Sequence, residues 1–139
     1  RLRTRSCKVR AFALPLPAPR SMSAIRDLLT ALRGRPGVDA AIVVGRDGLV
    51  IDDESRDGVD RERIAAHAPA LLTAGDDVGA AANRGALVTL VLEHERGGLA
   101  ILSVLSRDAS LLVLLDPSAD AGPLLQELRR ERARLASLV

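Results

Sequence analysis

Aromatic side chains are nearly missing from these 139 residues: one Phe, at position 12, and no Tyr or Trp. Lysine is as scarce, with Lys8 its single instance. A nucleic-acid binder needs clustered Lys or Arg for phosphates and, on single strands, aromatic platforms for bases. The chain beyond residue 12 offers no such platform and no lysine, which excludes nucleic acid as a partner. One cysteine, Cys7, can close no internal disulfide and build no thiolate zinc site, so a reducing cytoplasm is the expected compartment. Long apolar runs are absent too. The longest, such as residues 111–115, fall far short of the roughly 20 residues that span a bilayer, and no membrane insertion is expected.

Charge is present but unevenly placed. The formal net charge is +2, yet Arg1, Arg3, Arg5, Lys8, Arg10 and Arg20 precede the first acid. From Ser21 onward 14 basic residues face 18 acidic ones, so the bulk of the chain is acidic. Residues 1–21 read as a basic leader, disordered or not native to the domain; Pro15, Pro17 and Pro19 interrupt its apolar stretch, unlike a secretory signal. Residues 22–139 then form one domain, and 47% apolar content is enough for one core.

Hydrophobic spacing divides that domain into elements. Ile25, Leu28, Leu29 and Leu32 recur at helical intervals, predicting a first helix with Ser23 as N-cap and Gly34 and Pro36 as its stop. Two β-rich runs follow, at 38–44 and 49–51. Asp47-Gly48 between them supplies the positive φ of a tight hairpin turn. Asp60 is the expected N-cap of a long Ala-rich helix to about Asn83. Its core side is Ile64, Ala68, Leu71, Leu72, Gly75, Val78, Gly79 and Ala82. Pro69 should bend this helix or mark a late start, because it lacks a donor and crowds the preceding turn.

Three more strands, at 86–93, 99–105 and 110–116, are separated by short turns and read as an antiparallel meander. Both alternating sets are apolar, with Leu87 and Val91 on one side and Val88, Leu90 and Leu92 on the other, so both faces must be covered. A last helix, from about Asp120 to Leu138, carries the stripe Leu124, Leu125, Leu128, Leu135 and Leu138, with Glu127–Arg130 and Glu131–Arg134 as i,i+3 pairs. The expected fold is α+β, a five-stranded antiparallel sheet flanked by three helices in the order α-β-β-α-β-β-β-α.

No catalytic constellation emerges. His67 and His94 have no partner at metal or triad spacing, and Ser103, Ser106 and Ser110 lack a G-x-S-x-G setting. Asp52, Asp53 and Glu54 show no D-x-D-x-D-G spacing and read as a solvated loop. No Walker-type phosphate loop exists, since Gly45 and Gly48 lack its spacing and its lysine. Neither metal nor cofactor is expected, and the reading is of a non-enzyme.

The outer face of the long helix is more informative. Ala66, Pro69, Ala70, Thr73, Asp76, Asp77, Ala80 and Ala81 lie on it, and between 66 and 75 it has none of the long charged side chains of a solvated face. Small side chains let another backbone approach closely, so this face is expected to meet a partner chain.

The run Pro36-Gly37-Val38-Asp39-Ala40-Ala41-Ile42-Val43-Val44, then Arg46-Asp47-Gly48-Leu49-Val50-Ile51, the Ala-rich helix and the paired apolar strands resemble the roadblock family of dynein light chains and its bacterial MglB-like branch. The resemblance spans residues 23–139; Gly45 and Pro69 depart from the usual pattern. It implies a roadblock/profilin-like sandwich that pairs with itself or a paralogue, joining edge strands and packing the central helices together. On that basis 86–93 is the joining edge, and the interface comprises Ala66, Pro69, Ala70, Thr73, Asp76, Asp77, Ala80, Leu87, Thr89 and Val91. The family also implies a small Ras-like GTPase as partner, with the dimer a platform that stimulates hydrolysis or acts as a scaffold. Arg46 and Arg84 are the arginines a GTPase could reach. The competing expectation is a small-ligand or signal-sensing domain of profilin/PAS-like architecture, which would need a pocket with convergent polar groups.

Overall fold

A computed structural model describes residues 20–139; the leader through residue 19, with Cys7 and Phe12, lies outside the described residues. Helix α1 (Arg20–Arg33) leads into β1 (Val38–Gly45) and β2 (Val50–Ser55). Two helices, α2 (Arg61–Ala65) and α3 (Ala68–Ala81), precede β3 (Thr89–Glu93), β4 (Leu99–Val104) and β5 (Ala109–Leu115). The chain closes with α4 (Ala121–Arg130) and α5 (Arg132–Ala136). The five strands form one antiparallel sheet in the order β2-β1-β5-β4-β3, with β2 and β3 at its edges. Order and sheet are those expected, with the second and last helical segments each broken in two.

Pleating sorts the core into two layers. Ala41, Val43, Ile101, Leu111 and Val113 face one side, where α1 contributes Ile25, Leu29 and Leu32 and the C-terminal helices contribute Leu124, Leu128 and Leu135. Ala40, Ile42, Val44, Leu102 and Leu112 face the other, covered by Ala65 and Ala68 with half-buried Ile64, Leu71 and Leu72. The second layer is thinner, because α3 buries only Ala68 completely.

Local chemistry explains the breaks. The Asp60 carboxylate accepts from the Arg63 N–H at 3.2 Å and caps α2. Pro69 occupies the first turn of α3, where its missing N–H costs nothing, so the proline is both interruption and fresh start. Gly48 has φ +84° at the β1–β2 turn, and the Asp47 carboxylate accepts from the Leu49 N–H at 3.0 Å. A Cβ on Gly48 would lie 3.2 Å from the Pro69 ring, so the hairpin tip rests on the start of α3.

Several expectations need correction. Ser23 lies within α1 and is not its N-cap, since the helix begins at Arg20. Strand β2 runs on to Ser55, so Asp52, Asp53 and Glu54 sit on a strand. They are tolerated there because the strand is an edge and arginines meet them: Arg26 of α1 reaches Asp52 at 2.8 Å and Glu54 at 2.9 Å, and Arg61 reaches Asp53 at 3.2 Å. Glu127 pairs with Arg35 rather than Arg130, whereas the expected Glu131–Arg134 pair forms at 3.1 Å. Periodicity places Val78 and Ala82 on the core side, but Val78 is 69% exposed and Ala82 is exposed as well.

Candidate protein interface

The end of α3 is organised by its glycines. After Ala81 the chain turns through Asn83 (φ 60°) and runs back along the helix. The Arg84 N–H donates to the Gly79 carbonyl at 2.7 Å, and the Leu87 N–H donates to an Asp76 carboxylate oxygen at 2.7 Å. A Cβ on Gly79 would come 2.0 Å from the Gly85 carbonyl oxygen, and one on Gly75 would lie 2.6 Å from the Leu87 side chain. The small residues at 75 and 79 therefore admit the chain's own return segment. This also corrects Leu87: it precedes β3 and packs against α3, and does not share a side with Val91.

The opposite face of α3 is open. Ala66, Ala70, Asp77 and Ala80 are exposed there; Thr73 and Asp76 are exposed and Pro69 half-buried, but these three line the cleft between α3 and the sheet, and Asp76 is bonded to the return segment. Val78 adds an exposed aliphatic side chain that a helical wheel assigns to the interior. Its only sequence signal is its place among glycines and alanines, too small to lift a neighbouring element over it.

Strand β3 presents an open edge. The Val104 N–H donates to the Val88 carbonyl at 2.9 Å, and the His94 N–H donates to the Gly98 carbonyl at 3.4 Å. In an antiparallel ladder the hydrogen-bonding direction alternates, so even-numbered residues bond to β4. Thr89, Val91 and Glu93 turn their N–H and C=O groups away from the sheet, and among the described residues no side chain occupies them. By register Thr89 and Val91 also direct their side chains to the α1–α4 side, opposite α3; Val91 is 41% exposed. The expected interface residues thus fall on two faces that meet only at this edge.

The other edge is obstructed at Asp53 by side chains of its own domain. At Asp53 the outward carbonyl accepts from Arg26 at 3.0 Å, and the N–H donates to the Asp52 carboxylate at 2.8 Å. Charge and local hydrogen bonding of this kind block strand addition. Above its turn, Leu49 and Ile51 are exposed (67% and 55%) beside Arg46.

A cleft of about 420 Å³ opens where α3 lifts off the sheet. Leu72, Val104 and Ala109 are among its apolar lining, and Arg46, Thr73, Asp76 and Arg107 are its polar groups. His67 and His94 are exposed, at the start of α3 and just beyond β3. The described residues hold no cluster of metal-ligating side chains and no helix long and apolar enough to cross a membrane. One carboxyl departs from its usual range: Asp116 is held low by the Ser118 hydroxyl, which donates to it at 2.5 Å, and by the Ser118 N–H at 2.8 Å. It lies in the β5–α4 turn, where it shares a shallow cavity with Glu93 and His94 at the end of β3.

An open sheet edge beside an exposed small-residue helix defines an interaction domain. The sequence pattern of the Roadblock/LC7 domain matches residues 24–116, and the chain belongs to that family, whose domains are generally noncatalytic regulators and scaffolds. Among its relatives is the protein MJ1340 of Methanocaldococcus jannaschii, 29% identical over 80% of this chain and 96% of that protein. A Roadblock/LC7 domain from Streptomyces avermitilis is 28% identical, with a TM-score of 0.65 over 79% of this chain and 89% of that one. The gliding protein MglB from Thermus thermophilus shares the fold at 15% identity, with a TM-score of 0.75 over 88% and 93% of the two chains.

Proposed function

We propose that the chain is a noncatalytic regulator or scaffold that dimerises through β3 and α3 and binds a small Ras-like GTPase in the cytoplasm. The observation that carries this reading is the contrast between edges: at β2 Arg26 and Asp52 hold the outward backbone groups of Asp53, whereas β3 offers three unpaired backbone positions next to an exposed helix face. Asp76 ties α3 to the chain entering β3, so pairing the edges of two chains carries their α3 helices together. The joined helices would give the GTPase a surface centred on Thr73, Asp77 and Ala80. Such a platform acts by holding one nucleotide state more tightly than the other.

The test is co-purification of the full chain with a Ras-like GTPase from the same cell, loaded with GTP analogue or GDP. Preferential retention of one state is expected, together with a dimer at tens of micromolar, about the range in which modest interfaces persist. Thr73→Arg should abolish retention or pairing while the far-ultraviolet dichroism stays unchanged; full retention by a folded variant would refute the helix-face assignment. Arg46→Ala and Arg84→Ala should each leave any stimulation of hydrolysis within a fewfold, because no arginine is asked to enter the GTPase site. A second reading, a small-ligand sensor, draws on the cleft between Arg46 and Arg107. It predicts a monomer that binds a small anionic molecule and ignores GTPases.

A further inference from the structure

We infer that the β3 edge is keyed to one antiparallel register with a second copy of this chain, centred on Val91, and that Asp76 prevents it from slipping. The inference rests on the dimer reading above and adds which residues meet and why the partner is the same chain.

Only Thr89, Val91 and Glu93 turn their backbone groups outward, and they are spaced evenly about Val91. With a twofold axis at Val91, Thr89 meets Glu93 of the second copy and Val91 meets Val91, so every outward N–H and C=O finds a partner, in about six hydrogen bonds. Slipping so that Leu90 faces Leu90 would call Leu87 into the ladder. Its N–H is already held by the Asp76 carboxylate at 2.7 Å. Slipping the other way, so that Leu92 faces Leu92, would call on Glu95, which sits in the β3–β4 turn and is not extended. Both slips strand backbone groups, and a buried unpaired group is costly.

Side chains agree with the centred register. Glu93 of the second copy arrives opposite Thr89, and Thr89 shares its cleft with Arg129 of α4. Among the described residues Arg129 makes no ion pair. The twofold axis supplies this acid-to-base match twice and sets the two Glu93 carboxylates apart at opposite ends of the joint. An edge that answers its own pattern under a twofold axis selects a second copy over a paralogue lacking that pattern.

Disulfide trapping reads the register directly. In the Cys7→Ser background, Leu90→Cys and Leu92→Cys chains are mixed in equal amounts and oxidised. Leu90 and Leu92 of opposite copies form a non-hydrogen-bonded pair with Cα atoms about 4.5 Å apart, within disulfide reach. Like residues lie on a diagonal of about 7–8 Å, beyond it. Mixed 90–92 disulfides should therefore dominate at least tenfold over 90–90 and 92–92. Adding Asp76→Ala to both chains should raise the 90–90 product severalfold. Dominant 90–90 or 92–92 product from the parent pair overturns the register; a dimer by sedimentation without any of the three overturns the edge assignment. A monomer overturns the dimer reading itself, and mixed product unchanged by Asp76→Ala overturns the role of Asp76.

Discussion

Gly79→Ala offers a sharp test of how the end of α3 is built, because two ordinary expectations give opposite signs. Alanine in place of glycine within a helix is worth about 1 kcal/mol to the helix. Here the added Cβ would lie 2.0 Å from the Gly85 carbonyl oxygen, so the return segment must retreat by more than an ångström to reach ordinary contact. That displacement breaks the Arg84 N–H to Gly79 bond and strains the Leu87 N–H to Asp76 bond, both 2.7 Å. A neutral bond of this kind contributes about 0.5–1.5 kcal/mol and one to a charged group about 1.5–3 kcal/mol. Subtracting the helix gain leaves a net loss of about 1–3 kcal/mol. With a urea slope of about 1–3 kcal/mol per molar, the unfolding midpoint should fall by about 1 M. Parent and variant must be compared at one protein concentration, since self-association shifts apparent stability. A midpoint that rises, as at a helix glycine with open space around it, would refute the return-segment account.

Two further outcomes follow from other parts of the molecule. Leu29 is 0% exposed between α1 and the sheet, and Leu29→Ala should cost about 2–5 kcal/mol in urea unfolding; a loss below 1 kcal/mol would mean that α1 does not pack as described. The Asp116 carboxyl should titrate below the ordinary aspartate range by NMR, and Ser118→Ala, which removes the hydroxyl but not the N–H, should move it part of the way back. Because the folded value is the lowered one, the stabilisation is present above the unfolded aspartate pKa of about 3.9 and is lost as pH falls through the folded value. The stability difference between Ser118→Ala and parent should accordingly exist at neutral pH and vanish in strong acid; an identical Asp116 titration in both proteins would refute the hydroxyl's role.

Periodicity and turn chemistry made most of the fold legible. The apolar spacing of α1, the Asp47-Gly48 hairpin and the break at Pro69 each follow from constraints within a few residues. What stayed hidden depends on what lies across space. Asp52-Asp53-Glu54 reads as a loop because nothing local announces Arg26 and Arg61, which make a charged edge strand tolerable. The helical wheel grouped Gly75 and Gly79 correctly but could not say that the chain's own return lies against them. On α3 the helical wheel already put Ala66, Ala70, Thr73 and Ala80 on the side away from the core, and they are exposed. The outward backbone groups of β3 were not, since their direction is fixed by register against β4, and register is a property of two strands.

The unequal treatment of the two sheet edges also bears on stoichiometry. A sheet with two adhesive edges can accept a neighbour on each and grow as a fibre, one copy after another. Here Arg26 and Asp52 occupy the outward backbone groups of Asp53, which a neighbour pairing along β2 would have to displace. On the proposed dimer reading β3 is then the more adhesive of the two edges, and that inequality favours closed pairs over a growing fibre.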